Sequence, residues 1–535
     1  MRHDRFAFQL GWRAIGALTV VTLVGCGAGT PSTNNKTKPH AERAALSEPP
    51  PAPRSERHID LGPAAFDVTA STAIVWARGA DVGTLHVELR APDGTITSGT
   101  AELSDAHDRT GAVPFTGLRA ATPYTVTAWV AEDARPIDAE RDRWGTRAQF
   151  RTAPAPETAA ALRFVWSADL GGQTYCRDAT LGYPIFHRMA AAKPAFFLAL
   201  GDMIYADDVC PATSKLGNAQ VAGEFMPATD LEGFRAHWRY NRADAGFASF
   251  LRETPSIVTW DDHEIVNNAA PDADTPRTTG TDGAPPVHLF GPALEAFREY
   301  NPMGPLPGGG SPIYRSIRWG RHAEVFVLDL RSYRGSNTAV DGPSKSMLGS
   351  EQYAWLEQAV RRSDATWKII ASSVPMALPT GNAKEHDAWA NGSTNLGFET
   401  ELTRILYMLR DAGARNVLWL AADVHIAAGY KYTPFPTTPD FHVYEAIAGP
   451  LSAALGIRWR LDKTFHPEEL YYSAPSSKPT SYDAARPWFN FGTVEIDAAG
   501  ALTVTTTADD GHTIGTLHAE AVPNVTRASA SAPTP

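Results

Sequence analysis

Phe196-Phe197-Leu198-Ala199-Leu200-Gly201-Asp202-Met203-Ile204-Tyr205 is the stretch that decides the fold. An unbroken apolar run ends in a glycine, an acid and a phenol. A strand buried on both faces reads as such a run, and its polar tip marks where the sheet reaches solvent. The pattern recurs along the chain. Run 257–260 delivers Asp261, Asp262 and His263, run 325–328 delivers Asp329 and Arg331, and run 417–422 delivers Asp423 and His425. An earlier strand, 164–166, is closed by Asp169 just before Gly171-Gly172. One polar terminus is ordinary surfacing. Several of them predict one site assembled at the edge of a sheet.

Outward from these strands, segments 351–360 and 401–409 have helical spacing, and each precedes an apolar strand, 367–372 and 416–420. That alternation predicts an α/β core of stacked mixed β-sheets flanked by helices, closed by strands at 489–494 and 502–507. Residues 59–153 differ. Short strand-like segments at 73–78, 85–90 and 124–129, with an Asp93-Gly94 turn, predict a small antiparallel β-sandwich. Residues 154–158 read as a linker, and the core domain is expected over 160–515. The Gly- and Pro-rich stretch 301–312 reads as a long loop near the site.

The 535 residues leave room for a core of roughly 250–350 residues beside a smaller domain. A net charge of −11 and the lack of basic runs give no reason to expect a nucleic-acid partner. Arg2, Arg5 and Arg13 precede an apolar stretch, 14–25, that is too short to span a bilayer and reads as an export signal. It runs into Leu23-Val24-Gly25-Cys26-Gly27, which resembles a bacterial lipobox. Residues 1–26 are therefore expected to be a lipoprotein signal peptide with Cys26 lipidated, the alternative being an ordinary secretory signal. Residues 27–58 read as a disordered tether and 519–535 as a disordered tail. The expected product is an exported lipoprotein, membrane-anchored through its N-terminal lipid, in the periplasm or on the cell surface. Cys176 and Cys210 then remain, and in an exported chain they are expected to pair as a disulfide.

The acids and imidazoles define the chemistry. Asp202 and Tyr205 sit close enough to share a crevice, and Asp262 and His263 are adjacent, with Asn267 and Asn268 shortly after. Asp423 and His425 would point the same way from an extended segment. Several carboxylates in one pocket repel and hold their protons unless a cation joins them. Hard oxygen donors with one or two imidazoles suit iron, manganese, zinc or calcium, and an ionised Tyr205 favours Fe³⁺. Gly308-Gly309-Gly310 lacks the Lys-Ser or Lys-Thr of a phosphate-binding loop, and no serine-nucleophile elbow is evident.

Six pieces in order carry a family resemblance: Gly201-Asp202-Met203-Ile204-Tyr205, Trp260-Asp261-Asp262-His263-Glu264, Leu328-Asp329-Leu330-Arg331-Ser332-Tyr333-Arg334, Leu348-Gly349 with Trp355-Leu356, Trp367-Lys368-Ile369-Ile370 and Asp423-Val424-His425. Together they resemble the alkaline phosphatase D (PhoD-like) family, a branch of the calcineurin-like metallophosphoesterases, over about 161–510. Val75-Trp76-Ala77-Arg78 resembles a strand of that family's leading domain, and 59–153 is accordingly expected to be fibronectin-type-III-like.

The resemblance implies roles. Asp202 matches a metal-bridging acid, Tyr205 a ferric tyrosinate, and Asp423 and His425 the late ligand pair. His263 matches a histidine that orients or protonates phosphoryl oxygen. Asp262 is a natural ligand for Ca²⁺ beside Fe³⁺, with Zn²⁺ or Mn²⁺ as the alternative metals. Asp169 stands where characterised members carry an iron-binding cysteine. A second departure is Trp389-Ala390-Asn391-Gly392, which lacks the acid of a Trp-Asp-Gly-Tyr motif. Asp387 could take its place, with His386, Asp261 and Asp329 as further substrate-side or supporting candidates.

The implied activity is phosphoric ester hydrolysis on phosphomonoesters or phosphodiesters, small or lipid. Two cations about 3.5–4 Å apart would lower the pKa of a water or hydroxide that attacks phosphorus. Arg331 is read two ways, as a cation for phosphate oxygens or as a salt bridge to a site acid. Alternatives are a phosphodiesterase or phospholipase D-like enzyme and a non-catalytic surface-binding lipoprotein.

Overall fold

Alternation along the Phe197–Leu200 strand shows how the core is built. Leu198 and Leu200 point into a core between two sheets, while Phe197 and Ala199 point to a helix-covered face. The period of two forces this division, because successive side chains leave a strand on opposite faces. Burying each leucine is worth about 1.5–3 kcal/mol.

The computed structural model describes residues 58–132, 141–142, 145–271, 288–304, 311–382, 384–438 and 440–523. The expected signal peptide, Cys26, residues 27–57 of the tether and residues 524–535 lie outside them. One sheet has nine strands, in the spatial order Thr513–Ala519, Leu502–Ala508, Asn490–Ile496, Leu162–Ser167, Phe197–Leu200, Ser256–Thr259, Ile59–Phe66, Ala73–Gly79 and Thr110–Phe115. The strands at Leu162–Ser167, Phe197–Leu200 and Ser256–Thr259 are mutually parallel, so their C-terminal ends share one edge. In a seven-stranded sheet, Ala323–Val327, Trp367–Ala371, Val417–Ala421 and Val443–Ile447 are likewise parallel neighbours.

The two sheets stack over Phe164, Trp166, Leu198, Leu200, Val325, Ile369 and Leu418. Helices Ile185–Ala191, Leu231–Arg242, Ala245–Glu253 and Phe290–Tyr300 cover the outer face of the first sheet. Helices Gly349–Arg362 and Glu399–Asp411, read from spacing as 351–360 and 401–409, cover the second. Asp230 and Asp244 start their helices by accepting the Gly233 and Phe247 amides at 2.8 and 2.9 Å.

Residues 59–153 contribute strands to two facing sheets, one of them shared with the rest of the chain. Gly83–Arg90, Ile96–Leu103, Pro123–Ala131 and Thr146–Arg151 make a separate antiparallel sheet packed on Val75, Ala77, Val113 and Phe115. The other layer continues the large sheet, with Phe66 paired in parallel to Ser256. Polar contacts rivet the join. Arg315 grips both carboxylate oxygens of Asp67 at 2.6 Å, and Trp76 donates to the Glu299 carbonyl at 2.7 Å. At the other end the chain keeps its order past 519, because Val522 exchanges two hydrogen bonds with Asn416. Cys176 and Cys210 form a disulfide. Among the described residues no helix is long and apolar enough to cross a membrane.

Candidate metal centre

The strand tips turn through unusual backbone. Asp169, Asp202, Asp423 and His425 all have positive φ, at 65°, 50°, 66° and 55°. Such conformations in non-glycine residues cost on the order of 1–3 kcal/mol each and persist only where the surroundings fix them. Glu264 does much of that fixing. Its carboxylate accepts the amides of Asp202, Met203 and Asp261 at 2.9, 2.7 and 2.8 Å, tying two tips together. Glycines make the room: a β-carbon at Gly449 would collide with the Asp169 carboxylate, and one at Gly172 with the Tyr205 ring.

Three overlapping groups result, each with ligand atoms within 4.8 Å of one another: Asp169, Asp202 and His425; Asp202, Asp262 and His263; and Asp261, Asp262 and Asp423. Both oxygens of Asp169, Oδ1 of Asp262 and Oδ2 of Asp423 are buried without a hydrogen-bond partner. Burial, then neighbouring acids, hold Asp169, Asp202 and Asp423 well above the usual carboxylate range. Burial and the same acids push the Tyr205 phenol up. Its oxygen lies 2.9 Å from His425 Nε2, whose ring Nδ1 is engaged by the Ala454 carbonyl. Burial holds His425 down at about 4, leaving a neutral imidazole. Buried oxygens with no protein donor are costly, and a cation is the partner this donor set fits.

Asp423 and His425 do not share an extended segment. The left-handed turn splays them, so His425 joins Asp169 and Asp202 while Asp423 joins Asp261 and Asp262. Arg331 adopts the geometry of its salt-bridge reading. It is fully buried, donates from Nε to Asp261 at 2.6 Å, and forks onto both oxygens of Asp387 at 2.7 and 3.0 Å. Asp329 stands apart from the metal groups. It accepts the Trp260 indole and the amides of Arg331 and Ser332, which makes it an anchor for the loop. His386 also turns away, its Nε2 2.8 Å from the Thr394 hydroxyl. Of the altered segment, Trp389 is core, and Asn391 bonds Asp341 at 2.8 Å.

A cavity of about 480 Å³ opens over the tips, lined in part by Asp202, Asp262, His263, Asn267, Asn268, Asp387, Asp423 and His425. Several contributors were not singled out from sequence. Asp207 accepts from His263 Nδ1 at 2.7 Å and from the Asn267 amide at 3.1 Å. Burial would lower the His263 pKa, but Asp207 and Asp262 outweigh it and hold the ring up at about 9. Arg334 donates to the Asp387 carbonyl at 2.6 Å, and Asn337 to that of Asn268 at 2.9 Å. Glu264 and Arg334 had a sequence signal, their places in the Trp260–Glu264 and Leu328–Arg334 motifs. The rest depend on long-range folding.

A family model described as "PhoD-like phosphatase" matches residues 164–505, more than half of the chain. The chain belongs to that family. A curated relative, alkaline phosphatase D of Bacillus subtilis (strain 168), is 28% identical over 256 residues, which are 45% of this chain and 43% of the relative. The chain thus spans less than half of that relative's length. The solved structure of PhoD superposes with a TM-score of 0.65 at 19% identity, covering 88% of this chain and 94% of the other. A purple acid phosphatase from yellow lupin (Lupinus luteus) seeds gives a TM-score of 0.53 at 12% identity, covering 89% and 77%. Both likenesses are of fold, and they agree with the stacked mixed sheets and flanking helices.

Proposed function

We propose that the chain is an exported, metal-dependent phosphoric ester hydrolase of the alkaline phosphatase D type. One observation carries the reading: Asp169, Asp262 and Asp423 present buried oxygens without protein donors beneath an open polar cavity. Asp169, Asp202 and His425, with Tyr205 beside them, would hold one cation. Asp262 and Asp423 would hold a second, with Asp202 neighbouring both groups. Fe³⁺ suits the Tyr205 end and Ca²⁺ the carboxylate end, while Zn²⁺ or Mn²⁺ would serve with less call on the phenol. Bound cations supply Lewis acidity and a nucleophile at neutral pH.

The chain's own residues do the rest. Asp207 fixes the His263 ring and leaves Nε2 to steady phosphoryl or leaving-group oxygen. Arg331 is a positioning residue acting through Asp261 and Asp387, and Asn267 and Asn268 form the wall beside the ester. In the reaction an oxygen from water bonds to phosphorus, the P–O bond to the alcohol breaks, and the alcohol leaves with the water's proton. Monoesters, diesters and phospholipids all permit this chemistry.

Metal analysis of purified protein, with hydrolysis of p-nitrophenyl phosphate and bis-p-nitrophenyl phosphate, tests the reading. Stoichiometric metal with turnover is expected, and the ratio of the two rates sets the ester preference. Metal-loaded protein inert towards both would sink it. Lipid anchoring at Cys26, supported by the 23–27 motif, is tested by whether Cys26→Ser releases the protein from membranes.

A further inference from the structure

Trp459 lies between two cavities. Its indole donates to the Val424 carbonyl at 3.2 Å, inside the turn that carries Asp423 and His425, and its amide donates to the Tyr472 hydroxyl at 2.9 Å. Held at both ends, the residue lines the cavity over the acid tips and also a second cavity of about 540 Å³. Arg458, Arg460, Lys463, Pro467 and Glu469 help to line this second space.

The charges there do not cancel. Glu469 is taken by Arg458 at 2.6 Å, and that guanidinium lies 4.0 Å from the centre of the Tyr472 ring. Arg460 and Lys463 are exposed and make no ion pair among the described residues. Two uncommitted cations beside a mouth lined by Asp202, Asp262, Glu385 and Asp423 are a local reversal of sign, in a chain of net charge −11. An arginine and a lysine with no carboxylate of their own suit an oxyanion, which they would hold by charge-assisted hydrogen bonds.

We propose that this second cavity is a subsite for a second anionic group of the substrate. It rests on the phosphoesterase reading, and it narrows the substrate class to phosphate esters whose non-reacting arm carries another phosphate or comparable oxyanion. The reacting ester sits over the acid tips, and the second anion sits beyond Trp459 on Arg460 and Lys463.

Calorimetry on the metal-loaded full chain tests this with thymidine 5′-phosphate and thymidine 3′,5′-bisphosphate as probes. The bisphosphate should bind about tenfold more tightly, the scale of one hydrogen bond to a charged group. Arg460→Ala/Lys463→Ala should erase that difference while leaving monophosphate affinity within about twofold. Equal affinity of the two probes for the unaltered protein, or a difference that survives the double variant, would overturn the proposal. Release of nitrophenol from p-nitrophenyl phosphate and from bis-p-nitrophenyl phosphate is read separately. Its absence beside an intact binding difference would defeat the hydrolase reading and leave the subsite standing.

Discussion

Two groups of buried acids lie side by side at the strand tips and are treated in opposite ways. Around Asp169, carboxylate oxygens are left without donors, and burial with like charges holds the carboxyl well above the usual carboxylate range. Around Asp261 and Asp387, Arg331 and Arg334 supply the compensating charge from within the chain. The residue types and the burial are similar, so acidity alone does not separate a ligand from a brace. What separates Asp169 from Asp261 and Asp387 is whether the protein brings its own cation; Asp262 lies between the two cases, with the Arg331 guanidinium 3.7 Å from its Oδ1. A centre built for metal leaves that place open, whereas a scaffold fills it.

The largest effect expected from this contrast is at the open group. Asp202→Asn should lower kcat/KM by at least about 10³, roughly 4 kcal/mol of transition-state stabilisation, and reduce bound metal measured by elemental analysis. If the variant kept its metal and its rate, Asp202 would not belong to the open group.

The braced group should answer in stability instead. Arg331→Met leaves Asp261 buried without its guanidinium and Asp387 with Arg334 alone, and should cost about 3–5 kcal/mol in urea unfolding of chelator-treated protein. In the same chelated state Asp169→Asn should cost nothing or stabilise, because it removes a carboxylate that only a cation satisfies. Equal losses in the two variants would erase the distinction.

The reach of supporting groups is tested by Asp207→Asn. It loosens His263 without touching an acid that lacks donors, so turnover should fall about 10–100-fold at unchanged metal content. Loss of metal instead would place His263 among the ligands.

A smaller effect sharpens the comparison at a third kind of acid. Glu445 accepts the Met376 amide at 2.7 Å and the Tyr432 hydroxyl, pairs with no cation among the described residues, and is raised by burial from 4.5 to about 7. Because the folded value is the raised one, its favourable contribution is complete below pH 4.5 and is lost as pH rises through about 7. Glu445→Gln should therefore gain stability at pH 8, up to about 3 kcal/mol, and change little near pH 4. Thermal melts across that range would read it, and a gain confined to low pH would contradict it.

Much of this was legible in the chain because parallel strands covered on both faces must be apolar throughout. The runs ending at Asp169, Asp202, Asp262 and Asp423 therefore advertise both the sheet and its edge. Helix spacing around Leu356 and Leu402 was legible for a similar reason, since one stripe has to face a sheet. The two readings of Arg331 could not be separated, because its partners Asp261 and Asp387 are 70 and 56 residues away. The opposed directions of Asp423 and His425 were hidden as well. Spacing implies a shared face only where the backbone is extended, and here it turns left-handed. Asp207 looked like any acid in a loop until the fold brought His263 onto it.

The pairing of Phe66 with Ser256 bears on how the chain can be cut. Residues 59–153 look detachable, yet Phe66 pairs in parallel with Ser256, the first residue of the Ser256–Thr259 strand, which leads into Asp261 and His263. A truncation beginning near residue 160 would remove that pairing and leave the Ser256 carbonyl without the Asp67 amide, a few residues from the acid tips. It would also strand Arg315 without Asp67. The leading strands are thus a retaining wall for the sheet that carries the acid tips, and expression of the core alone should be planned with that wall included.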